Sequence, residues 1–187
     1  MPPTSVQRDY IVWQNRATSF YLAARTLYTQ GLFAPAAFCA NQALETLLKA
    51  TLIHHDRSFE PEVARHRWVP MLRALRNKAP TASGISIPAY LHSGRRFQSL
   101  SRYPGKVGGF VVPASFLHDL DAAFYELLRL VPFQFNSVLV HVLESRPSPR
   151  RRALTRSNLT IRRLRTFMRP WLRRRSSARV HQSSGAA

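Results

Sequence analysis

The 187-residue chain holds a single cysteine, Cys39, and only 9 acidic residues, and it has no long apolar run. Each shortage excludes something. One cysteine permits neither an internal disulfide nor a thiolate metal cluster. Set among Ala36, Ala37, Phe38 and Ala40, it reads as a small buried hydrophobe that suits a reducing compartment. No apolar stretch approaches the roughly 20 residues that span a bilayer. The opening Met1-Pro2-Pro3-Thr4-Ser5 lacks the basic-then-apolar layout of a secretory signal, so a cytoplasmic protein without a membrane span is expected. The run Gly105-Lys106-Val107-Gly108-Gly109 lacks the spacing of a phosphate-binding loop. His54 and His55, being adjacent, cannot both face one metal from a regular helix and read as a surface pair at a helix end. No metal and no cofactor is expected.

Acid is scarce where base is abundant: 28 Lys and Arg give a net charge of +19. Residues 1–145 hold 15 of the basic and all 9 acidic residues, which leaves 13 arginines and no acid in 146–187. The chain thus divides into a mildly basic domain over 8–145 and an arginine-rich, partly disordered tail over 146–187. Such a field attracts RNA, DNA or an anionic membrane face without naming one. A solvated compositional run fits the tail equally well.

Helical spacing dominates the domain. From Asp9 to Gln30, Trp13, Ala17, Phe20, Tyr21, Ala24, Leu27 and Tyr28 recur at three and four and mark one face, ended by Gly31. A second helix fits Ala34 to His54, with Pro35 in its first turn. Alanines and leucines nearly encircle it, which predicts burial on several sides, centrally in a bundle or at a subunit interface. Residues 55–67 read as a charged loop, and Val69–Arg76 resumes helical spacing. Residues 79–112 carry many glycines and prolines, with room for a short helix over 89–100. Pro113 opens a helix whose face is Phe116, Leu117, Leu120, Ala123, Phe124, Leu127, Leu128 and Val131. The apolar patch over 133–143 fits a helix or a short strand. In 150–175, Leu154, Ile161, Leu164, Phe167, Met168 and Trp171 interrupt the arginines at loosely helical spacing, as in a basic amphipathic helix on a polyanionic surface. The fold class is all-α, an antiparallel helical bundle.

These residues resemble the HEPN domain family, small helical bundles often encoded beside minimal nucleotidyltransferases. The likeness rests on Phe20-Tyr21-Leu22-Ala23-Ala24 and on Asn41-Gln42-Ala43-Leu44-Glu45-Thr46-Leu47-Leu48-Lys49-Ala50. His66 ahead of the next helix and Arg102-Tyr103-Pro104 complete it, over roughly residues 10–130. The resemblance implies a homodimer and a ligand site formed by Gln42, Glu45, Lys49, His66, Arg102 and Tyr103.

Glu45 and Lys49, four apart on a helix, can pair on one surface, with Gln42 one turn earlier. An ordinary helix pair is the plain alternative, but polar groups on so apolar a helix need partners. Arg102 offers a guanidinium for phosphate and Tyr103 a face for a base, although Tyr103 would also serve as a core plug. Many HEPN relatives are metal-independent ribonucleases that need an Arg-x4–6-His pair. Here only Arg174 and Arg175 precede His181 at such distances, in the tail; in the bundle Arg57 is nine residues before His66, and Arg65 is adjacent to it.

The sequence therefore predicts a non-catalytic HEPN-like module that binds a nucleotide or RNA and works with a nucleotidyltransferase in a toxin–antitoxin type pair. A ribonuclease with His66 as base and Arg65 or Arg102 on the phosphate is the alternative. A purely protein-binding subunit is the third.

Overall fold

The computed structural model describes residues 5–92, 112–132, 138–144, 148–156 and the single positions 158, 163 and 166. Among them the chain is helical and carries no strand. A long hairpin forms its spine: α1 (Ser5–Thr29) and α2 (Phe33–His55). The turn between them follows from Gly31, whose φ of +78° lies in the left-handed region that glycine reaches without a Cβ clash. Gly31 N–H donates to Tyr28 O and Leu32 N–H to Leu27 O, the paired bonds of a Schellman ending that satisfies the last carbonyls of α1.

Small residues let the two helices pack closely. Ala17 and Ala24 of α1, and Ala36, Ala37, Ala40 and Ala43 of α2, are all fully buried. Around this pair lie α3 (Pro61–Ala64), α4 (Trp68–Lys78), α5 (Ala89–His92), α6 (Phe116–Leu128), α7 (Val138–Glu144) and α8 (Pro149–Thr155). The α2 helix touches α1, α4, α5 and α6, which makes it the central rod of the chain's own bundle. Its residues from Ala43 to Ile53 are all buried.

The apolar face expected after Pro113 is buried as a unit, from Phe116 to Val131. Its Phe124 stacks on Tyr21 of α1, ring centroids 4.1 Å apart, and Phe116 stacks on Tyr28 at 5.1 Å. Such aromatic pairs add about 0.5–1.5 kcal/mol beyond area burial. The patch over 133–143 resolves as α7 in its described part, with Leu139, Val140 and Val142 buried.

Two expectations shift. The arginine-rich segment expected to stand apart from residue 146 begins instead with α8 seated on α1, where Leu154 is fully buried and joins the core. Leu154 thus faces the bundle rather than a polyanionic surface. The histidines at the end of α2 are half-buried rather than a free surface pair. His55 Nε2 donates to Leu130 O at 2.9 Å, and His54 packs edge-on against Tyr10. Among the described residues no helix is long and apolar enough to cross a membrane, and no group of three or more metal-binding side chains occurs.

Candidate functional site

The centre of the site is Glu45, 4% exposed on the otherwise apolar α2. A carboxylate there must be paired. Lys49 lies one turn on, and its Nζ stands 2.9 Å from Glu45 Oε1. The same ammonium sits 5.4 Å from the centre of the Trp13 ring, so α1 supplies a π face and α2 a carboxylate to one buried cation. His66 reaches the carboxylate from the loop before α4: Nδ1–H donates to Oε1 at 2.9 Å and Oε2 at 2.8 Å.

Local backbone geometry delivers that imidazole. Arg65 closes α3 with φ +48° and ψ −126°, a combination that L-residues avoid and that costs of order 1–3 kcal/mol. It turns the chain so that His66 projects toward α2 just before Trp68 starts α4. With Nδ1 committed to Glu45, the ring presents Nε2, and its side chain is 56% exposed. The site therefore has a buried ionic floor, Glu45 and Lys49, and an exposed imidazole edge.

Gln42 does not join the cluster. It is half-buried one turn earlier, and among the described residues its Nε2 reaches only Asn41 Oδ1 at 3.5 Å. Arg102 and Tyr103 lie outside the described residues. Arg65 is exposed and lines, with Glu62, Val63 and Arg67, an open depression of about 560 Å³. Apolar spacing gave no reason to single out three further residues. Trp13 read simply as part of an apolar face. Asn41, nearly fully buried, donates from Nδ2 to Leu91 O at 2.9 Å and ties α5 to α2. Trp68 has a buried indole N–H without an acceptor among the described residues.

A second polar cluster was missed outright. Arg25 of α1 is fully buried, and its Nη1 donates to both carboxylate oxygens of Asp121 on α6. Tyr21 Oη donates to Asp121 Oδ1 at 2.6 Å, and Asn158 Nδ2 donates to Tyr21 Oη at 3.1 Å. Burial raises the Asp121 carboxyl above its ordinary range, while Arg25 and then Tyr21 pull it down. Burial, then the Asp121 charge, pushes the Tyr21 phenol well above its ordinary value. The sequence signal was an aspartate within the apolar face of α6 and an arginine four residues after Tyr21.

The sequence model of the HEPN domain matches residues 10–107, just over half of the chain. The chain belongs to the HEPN domain family. Neither a curated protein nor a solved structure matches it. The HEPN match takes in α1 from Tyr10 onward, α2 through α5 and all of Trp13, Glu45, Lys49 and His66, and at family level it associates the chain with nucleotide- or RNA-related modules. It stops short of α6, α7 and α8. Asp121 and Asn158, which partner Arg25 and Tyr21, therefore lie beyond the HEPN segment.

Proposed function

We propose that this HEPN domain is a non-catalytic module that binds a nucleotide or an RNA at the Glu45–Lys49–His66 cluster. On this reading it acts in the cytoplasm as a homodimer through α1 and α2, beside a nucleotidyltransferase in a toxin–antitoxin type pair. The observation that carries the reading is the shared carboxylate of Glu45. It holds a buried ammonium on one side and, on the other, an imidazole whose free edge faces solvent. That edge supplies one directed hydrogen bond to a ligand, while Arg65 and Arg67, which flank His66 in the chain, supply charge for phosphate. Arg102 and Tyr103 complete the proposed ligand set, and Gln42 contributes an amide at its border.

A second reading is favoured by one detail. A carboxylate bonded to Nδ1 fixes the tautomer whose Nε2 accepts a proton, the arrangement a general base needs. A metal-independent ribonuclease with His66 as base and Arg65 or Arg102 steadying phosphate charge would use it. Incubation of the full chain with labelled RNA in EDTA separates the two. Binding without cleavage, weakened at least several-fold by His66→Ala, supports the module. Cleavage that persists in EDTA and vanishes in His66→Ala would replace it with the enzyme.

A further inference from the structure

The arginine-rich segment starts on the bundle, and the way it is held bears on what it does. Helix α8 has seven residues and would not persist in isolation, since helices shorter than about 12 residues are marginal in water. Its sequence makes matters worse: Arg150 and Arg151 fall in the first turn, where the helix dipole disfavours positive charge, and no acid accompanies them. Ser148 caps the start by accepting from Arg151 N–H, which offsets part of this.

The far end is held by α1. Arg25 Nε donates to Ala153 O at 2.9 Å and Nη2 donates to Arg156 O, so one buried guanidinium caps the last carbonyls of α8 while Nη1 grips Asp121. Asn158 closes the arrangement, donating to Tyr21 Oη and to Leu154 O. Ala153 and Leu154 are buried beneath the helix. What α8 leaves outside is positive: Arg152 and Arg156 are exposed, and neither has an ion-pair partner among the described residues.

We infer that the Arg25–Asp121–Tyr21–Asn158 cluster is a latch that fixes α8 on the bundle, so that Arg152 and Arg156 form a built, preorganised contact for a nucleic-acid backbone. This contact is separate from the Glu45 cluster, and it rests on the RNA reading for the identity of its polyanion. A flexible basic tail attracts phosphate by charge alone. A latched one also avoids the ordering cost at the moment of binding, so its affinity exceeds that of an untethered tail of identical charge.

The test uses the full chain and three proteins: wild type, the latch variant Arg25→Met/Asp121→Leu, and the face variant Arg152→Gln/Arg156→Gln. Replacing both members of the buried pair leaves no lone buried charge, which keeps the bundle folded; far-UV circular dichroism and urea unfolding check this. Asn158→Leu is the milder latch variant if the double one does not fold. Amide exchange over 149–156 is read beside affinity for a labelled 20-mer of uridine across a salt series. The expected result is exchange at least tenfold faster over α8 and affinity several-fold weaker in the latch variant, with its salt slope kept. In the face variant, the slope should shrink by about 1.4, two single-strand phosphate contacts at about 0.7 each.

Unchanged exchange in the latch variant overturns the latch. Faster exchange with unchanged affinity overturns the preorganised contact. A polyglutamate chain that competes as well as RNA of equal charge overturns the nucleic-acid assignment in favour of an acidic protein. Absence of RNA binding in wild type sinks the RNA reading and the contact together, whereas the exchange arm still decides the latch by itself.

Discussion

Arg25 and Asp121 stand 96 positions apart in the chain and form an ion pair in which neither side chain has any exposure. A pair so buried contributes little net stability while intact, but losing one member leaves an uncompensated charge inside the core. Asp121→Ala is therefore expected to destabilise the protein by about 3–5 kcal/mol, whereas Arg25→Met/Asp121→Leu should fall within about 2 kcal/mol of wild type. Urea unfolding of both singles and the double gives the coupling directly. Single variants within about 1 kcal/mol of wild type would show that the pair is not isolated from water.

Glu45 answers to two cations of different exposure, so its partners should respond differently to removal. Glu45→Ala strands the buried Lys49 ammonium and should cost about 3–5 kcal/mol. His66→Ala removes a half-exposed partner and should cost no more than about 1 kcal/mol. Nitrogen chemical shifts of His66 supply the second check: they should report a protonated Nδ1 in wild type and a mixture of tautomers once Glu45 is replaced by alanine. A mixed population in wild type would contradict the orientation described for the site.

His54 gives a pH dependence with a definite sign. Burial, then the neighbouring His55, lowers its pKa below the ordinary 6.5. Below pH 6.5 the unfolded chain thus binds this proton more readily than the folded one. The associated stability is complete above pH 6.5 and is lost as pH falls through the window between 6.5 and the depressed folded value. Urea midpoints measured from pH 7.5 down to 5 should show this loss in wild type, and His54→Gln should show less of it. An identical slope in the two proteins would assign the pH dependence to other groups.

Two glycines should behave in opposite ways. A Cβ would meet open space at both Gly31 and Gly84, so sterics against neighbours do not separate them. The backbone does: Gly31 has φ +78°, where alanine costs about 1–2 kcal/mol, while Gly84 has no such requirement. Gly31→Ala should lower stability by that amount, and Gly84→Ala should be neutral or raise it by up to about 1 kcal/mol. Thermal unfolding of the two variants is sufficient to decide.

The long helices were legible because α1, α2 and α6 each repeat apolar residues for three turns or more, long enough for periodicity to speak. The Glu45–Lys49 pair was legible for the same local reason, a separation of four on a helix. His66 was different. It meets Glu45 across 21 residues of chain, a closure set by α3 and the strained Arg65, and only the HEPN resemblance pointed to it. Pairings between Arg25 and Asp121, or between Tyr21 and Asn158, depend on how α6 and α8 dock against α1, and spacing carries no such information. Helix α8 was hidden by composition. Its arginines suggested a solvated run, and within it only Ala153 and Leu154 contribute buried apolar side chains.

The clasp between α1 and the segment 149–158 decides where this polypeptide can be shortened. A cut at residue 145, the boundary that charge composition suggests, would bare the Arg25 guanidinium and remove the carbonyls of Ala153 and Arg156 that occupy it. Loss of RNA affinity after such a cut would then mix a wounded core with missing cations. Ending the protein after Asn158 keeps Ser148 through Asn158 in place and still trims eight of the thirteen arginines found beyond residue 145.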